Sequence, residues 1–249
     1  MFDLSITSTK YFSKGEMLMT LGLVLGGGGA RGAFQAGALA ALATSQLQPD
    51  FVLGTSIGAI NALGTTKLPA AELVQWWLTK VPRNMFFRRN GEVPYASLLR
   101  DLVARPTIHA WPVLILTAAL PTMRQHVVTL TGKPEEVQLQ WLLASSAIPR
   151  VYPKVTIAAT HYVDGGMVND LPVDVARDLG ATQIISIGAG GLGPKPEMTA
   201  RLHLDVPKWA PNILDFRQKP RPRLLQAGWQ MAEKMMKTPE FKALLPNRT

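Results

Sequence analysis

A chain of 249 residues, 47% apolar and 17% charged, can bury a large core as one α/β domain, which excludes a largely disordered protein. It has no cysteine, so disulfides, a thiolate metal site and a thiol nucleophile are excluded. The 26 Lys and Arg against 17 Asp and Glu leave a formal charge of +9, which suits phospholipid headgroups or nucleic acid and says nothing of fold.

Residues 1–18 read as a loosely ordered leader. Lys10 and Lys14 before 17-MLMTLGLVLGGGGARGA-33 imitate a signal peptide, but cleavage there would remove a glycine loop that the chemistry requires; Met17 and Met19 are alternative starts. No apolar run reaches the roughly 18 to 20 residues of a membrane span. A buried strand is predicted over 20–25, then Gly26 to Gly29, then an Ala/Leu-rich helix over 30–43. A second strand over 51–53 runs into 54-GTSIGAINALG-64, a small-residue turn followed by a helix. Pro69 opens a third helix. Residues 81–95 are irregular, 97–104 helical, 111–118 and 125–130 strands, and 134–146 helical. Strand with a sharp turn comes next over 155–166, then a helix over 173–179 and a strand over 182–190. Alternating strand and helix predict a mainly parallel sheet covered on both faces, a three-layer α/β/α sandwich. Beyond 190, glycine and proline thicken, and 217-RQKPRPR-223 is expected to be extended. The expected organisation is a leader (1–18), a catalytic domain (19–190) and a basic, amphipathic extension (191–249) packed on or extending it.

Gly27, Gly29 and Gly32 satisfy G-x-G-x-x-G, the dinucleotide-binding fingerprint. That reading needs an acid at the end of the second strand to hold a ribose. Asp50 instead precedes its strand and belongs at the wrong end of the sheet. The second strand leads instead into Gly54-Thr55-Ser56-Ile57-Gly58, a G-x-S-x-G in the strand-to-helix context of a nucleophile elbow. The two turns then explain each other. Both close parallel strands at the same sheet edge, and side-chain-free amides of the glycine loop would donate to the oxyanion formed when a serine attacks an ester. None of the four histidines lies in an obvious catalytic segment. Two carboxylates stand out, Asp164 in 162-YVDGG-166 and Asp170. Asp164 reads equally as a base at a strand end and as the aspartate of an Asx-turn.

The ordered set GGGGARG (26–32), GTSIGAINA (54–62), SSAIPRVYP (145–153) and YVDGGMVNDLPV (162–173) resembles the patatin-like phospholipases over roughly residues 19 to 190. The resemblance implies acyl-ester hydrolysis on phospholipids, lysophospholipids or related lipids by a Ser-Asp dyad without histidine, metal or organic cofactor. It places the nucleophile on Ser56, the proton acceptor on Asp164 and the oxyanion hole on Gly27, Gly28 and Gly29. Arg31, Gly32, Gly54, Gly58, Asn61, Gly165 and Gly166 take supporting positions. Arg150, Tyr152 and Lys154 depart from the family's usual IPxxFP segment, and 111-WPVLILTAAL-120 lacks an aspartate that often follows its Ala-Thr. These departures bear on substrate preference.

Two rivals remain at this level. One is an α/β-hydrolase triad, since Ser56, Asp164 and His203 fall in the order Ser, acid, His. The other is a nucleotide-binding or regulatory protein in which the glycine fingerprint is genuine. Lys80, Arg83, Arg88 and Arg89 around Met85, Phe86 and Phe87 form one basic region; Arg217, Lys219, Arg221 and Arg223 before an amphipathic helix over 224–237 form another. They are candidates for peripheral contact with anionic membrane, although core packing is the commoner role of such a helix. No motif for nucleic acid is present, and none is expected as a partner. The lack of a convincing signal leads to an expectation of a cytoplasmic protein with peripheral membrane contact.

Overall fold

Strands β1 (Leu21–Leu25) and β2 (Phe51–Thr55) are buried at every position, as apolar runs without polar alternation require when a sheet is covered on both faces. The computed structural model describes residues 20–85, 92–194 and 200–245. The expected leader and Phe86, Phe87, Arg88 and Arg89 lie outside them.

The remaining elements are α1 (Gly32–Leu42), α2 (Ile57–Lys67), α3 (Ala70–Thr79), α4 (Ala96–Val103), β3 (Val113–Ala119), β4 (Arg124–Thr129) and α5 (Glu135–Ser145). They continue as β5 (Val155–Ile157), β6 (Thr160–Asp164), α6 (Val173–Asp178), β7 (Gln183–Ile187), β8 (Leu202–Leu204), α7 (Arg221–Met236) and α8 (Pro239–Lys242). One sheet runs β5-β6-β3-β2-β1-β7-β8, with β4 also paired to β3. The pairs among β1, β2, β3, β7 and β8 are parallel, whereas β4, β5 and β6 pair antiparallel. The period of two along each strand divides the core. Leu23, Leu25, Val52, Ile115 and Ile185 pack under α1, α2 and α7, while Val24, Leu53, Leu114 and Ile184 pack with Val173 and Ala176 of α6. The fold is the expected three-layer α/β/α sandwich with a mainly parallel sheet.

The region 155–166 is a hairpin, turned by Ala158 and Ala159 at φ of 46° and 65°. The basic stretch 217–223 departs from expectation. Its prolines start a helix rather than prevent one: Pro220 is the N-cap of α7 and Pro222 sits in the first turn, where a missing N–H costs nothing. Arg221 is only 2% exposed, so it does not belong to the surface patch expected of this stretch. Its Nη1 donates to the carbonyls of Trp77 (3.0 Å) and Val81 (2.8 Å), and its Nη2 to those of Pro82 (2.9 Å) and Phe216. A guanidinium is suited to this because it brings several donors to the unpaired carbonyls at the end of α3. Leu224, Leu225 and Ala232 are buried, so this amphipathic helix packs against the core. It meets α1 at backbone distance, since a Cβ on Gly37 would lie 2.0 Å from the Leu225 oxygen and one on Gly228 1.9 Å from the Phe34 oxygen.

Candidate active site

Register along β3 brings the site together. Parallel β2 ends with Thr55 opposite Leu116, and antiparallel β6 ends with Asp164 opposite the next residue, Thr117. Two strands from distant parts of the chain therefore finish close together on the same strand. The residue after Thr55 is Ser56, and its Oγ donates to Asp164 Oδ2 at 2.6 Å.

Ser56 is held at φ 56°, ψ −122°, a backbone conformation that non-glycine residues rarely take. The turn is possible because α2 starts against the end of β1. A Cβ on Gly58 would lie 2.2 Å from the Leu25 oxygen and 2.6 Å from that of Gly26, so only a bare backbone fits. Gly54 abuts the Gly58 carbonyl from the other side. The Ser56 amide donates to Ser145 Oγ (3.0 Å), which donates on to the Leu116 carbonyl (2.8 Å). The sequence marks Ser145 only as part of a motif; its role in fixing the elbow depends on a contact 89 positions away.

Asp164 makes the Asx-type bond that one reading expects and also reaches the serine. Its Oδ1 accepts the Gly166 amide at 2.8 Å, an Asx-type bond, while Oδ2 takes the serine hydroxyl. Gly165 and Gly166 form the turn beneath it. The residue is 4% exposed. Burial raises its pKa to about 6, against the lowering pull of the Ser56 hydroxyl and the Gly166 amide.

The glycine loop closes β1 beside this pair. Gly26 N–H donates to the Ile187 carbonyl and Gly27 N–H to that of Asp170, while the Gly28 and Gly29 amides have no backbone partner among the described residues. Gly28 (φ 153°) and Gly29 (φ 54°) take positive φ, and a Cβ on either would lie 2.2 Å from a carbonyl oxygen, of Ala189 and Ile213 respectively. Arg31 braces the loop by donating to the carbonyls of Pro211 (2.6 Å) and Gly190 (2.8 Å). Behind it, Asn61 donates to the Gly32 carbonyl and to Gln35, and Gln35 to the carbonyls of Gly26 and Ile187. Trp77 Nε1–H completes the chain at Asn61 Oδ1. Gln35 and Trp77 carried no sequence signal, since a glutamine on an apolar helix and a helical tryptophan have no distinguishing pattern.

Two hollows meet at Ser56. One, about 40 Å³, is lined by apolar side chains including Ile57, Ile60, Trp76, Leu99 and Phe216, with Tyr95 and Tyr152 at its wall. The other, about 20 Å³, is bounded by Gly27 to Gly29, Asp164, Gly166, Asp170 and Leu192. No histidine lines either. His203 lies on β8 at the far side of the parallel strands, its Nδ1 2.8 Å from Ser186 Oγ, so the triad reading has no histidine to use. Asp50 accepts the Leu21 amide at 2.7 Å, at the opposite end of the sheet from the glycine loop.

The chain belongs to the patatin-like phospholipase family, whose model matches residues 23–177. It is 31% identical over 186 residues to neuropathy target esterase sws of Drosophila melanogaster, covering 69% of this chain and 13% of that one. It is 30% identical over 200 residues to patatin-like phospholipase domain-containing protein 7 of Mus musculus, covering 72% and 14%. With lysophospholipase NTE1 of Mycosarcoma maydis the identity is 29% over 189 residues, covering 70% and 10%. The chain thus matches 10% to 14% of the length of these relatives. In fold it is similar to VipD from Legionella pneumophila, at a TM-score of 0.54 and 10% identity, covering 88% of this chain and 67% of that one.

Proposed function

We propose that the protein is a serine acyl-ester hydrolase that cleaves fatty-acyl esters of phospholipids or lysophospholipids through Ser56 and Asp164. The observation that carries this is the 2.6 Å bond between a serine on a strained elbow and a buried carboxyl, at the mouth of an apolar pocket. Asp164 takes the Ser56 hydroxyl proton as Oγ attacks the ester carbonyl carbon. The amides of Gly28 and Gly29 receive the oxyanion; Gly27, whose amide is taken up by Asp170, shapes the loop instead. The alcohol leaves with that proton, and the acyl-enzyme is hydrolysed by a water that Asp164 activates. The apolar hollow receives the acyl chain. No step calls for a metal or organic cofactor. Relatives named as a lysophospholipase and an esterase support the substrate class.

The test is fluorophosphonate labelling of the wild type and Ser56→Ala, beside hydrolysis of a short p-nitrophenyl ester. Both are expected to be lost in the variant. A folded wild type that neither labels nor hydrolyses would overturn the reading.

We also extend the catalytic unit past residue 190, to take in the described residues 191–194 and 200–245. No helix among the described residues is long and apolar enough to cross a membrane. Contact with anionic bilayers is assigned to the exposed Lys80, Arg83, Arg217, Lys219 and Arg223, and not to Arg221, which lies among them in sequence but is buried. Vesicles carrying anionic lipid are expected to bind the protein more tightly than neutral ones at low salt, and equal binding would remove this assignment.

A further inference from the structure

Asp170 stands in the cleft with Ser56 and Asp164 but has no part in the proposed reaction. Its main-chain oxygen accepts the Gly27 amide at 2.9 Å, and its Oδ2 accepts the Gly191 amide at 3.0 Å. The surrounding glycines locate Oδ1: a Cβ on Gly27 would lie 2.5 Å from it and 3.5 Å from Ser56 Cβ. One on Gly166 would lie 3.1 Å from Asp164 Oδ1 and 3.3 Å from Asp170 Oδ1. Two carboxyls therefore flank Gly166, and the second is beside the loop whose free amides await an oxyanion.

We propose that Asp170 is a second acid–base group of this cleft, whose neutral form supports ester cleavage and whose carboxylate form opposes it. The reason is electrostatic. A negative charge beside Gly27 stands next to the place where the transition state develops its own, in a site with little water to screen it. The groups around Asp170 fit this role. Asp164 at the end of β6, Asp205 after β8 and Asp174 at the start of α6 add no compensating charge. Arg31 gives its hydrogen bonds to the carbonyls of Gly190 and Pro211 rather than to Asp170, and His203 meets Ser186. Burial pushes the Asp170 carboxyl up to about 7, and the charges of Asp164 and Asp205 push the same way against the Gly191 amide. The Asp164 carboxylate accepts two hydrogen bonds, from Ser56 and Gly166, against the one from Gly191 to the Asp170 side chain, which favours ionisation of Asp164 at the lower pH. Activity then rises as Asp164 ionises and falls as Asp170 does, so that two like groups hold opposite assignments.

This inference rests on the Ser56–Asp164 reading, and kcat/KM for a soluble short-chain ester from about pH 5 to about pH 9 separates the two. The wild type is expected to give a bell. Asp170→Asn, which keeps an acceptor for Gly191, is expected to lose the alkaline limb and to exceed the wild type several-fold at the alkaline end. Asp170→Ala is expected to lose the same limb with a lower plateau. A wild-type profile without an alkaline limb overturns the proposal by itself. So does a limb that persists in the two variants, or a loss in both that is equal at every pH, which is what a purely structural Asp170 would give. A fully active Asp164→Asn would instead sink the dyad, whatever the alkaline limb does.

Discussion

Asp164→Asn is expected to lower kcat/KM by roughly 10²- to 10⁴-fold, the usual contribution of a positioned acid–base group. Stability is expected to be preserved, because asparagine retains an acceptor for the Gly166 amide and fills the same volume. In the proposed mechanism the carboxylate form is the active one, and burial raises its pKa to about 6, so wild-type kcat/KM is expected to fall as pH drops through that value. A pH-rate profile of the wild type and turnover of the folded variant check both statements. Full activity in Asp164→Asn would show that the 2.6 Å contact with Ser56 is structural.

Gly58→Ala is expected to destabilise the protein severely. The added methyl would stand 2.2 Å from the Leu25 oxygen and 2.6 Å from that of Gly26. Neither is a side chain that can swing away, so the start of α2 must lift off β1 and carry Ser56 with it. A loss above about 4 kcal/mol falls in the class reserved for overpacked cores and strained backbone. Gly132→Ala provides the comparison: its φ of 81° is also unfavourable, but nothing lies within 4 Å of the new Cβ, so a cost of about 1 kcal/mol is expected. Urea denaturation of both variants measures the difference, and equal midpoints would show that the elbow yields more easily than its geometry suggests.

Much of the frame is legible in the sequence because it is local. Apolar runs without alternation mark β1 and β2, and glycines two positions either side of Ser56 mark the elbow. Asp164 is visible as a carboxylate at a strand end before two glycines. Its partner is not, because the meeting of β2 and β6 on β3 is a matter of register between segments more than 100 positions apart. Without the family resemblance, base and Asx-turn stand even; the fold gives both bonds to one side chain. The glycine loop reads as three equivalent glycines, whereas the occupied Gly27 amide sets one apart, and that again depends on a distant carbonyl. Arg221 is misread for a similar reason. Among Arg217, Lys219 and Arg223 nothing in composition distinguishes the one cation whose donors fit the end of another helix.

Arg31 is fastened to carbonyls 159 and 180 positions downstream, and Ala30 donates its amide to Ile213. On the ribosome, the turn after the first strand therefore has no mould until the loop at Pro211 has emerged. A nascent chain can therefore already possess Ser56 and Asp164 while the glycine loop is not yet held in place. Built this way, the loop is fixed only after residue 213 has been made, later than the strand it follows.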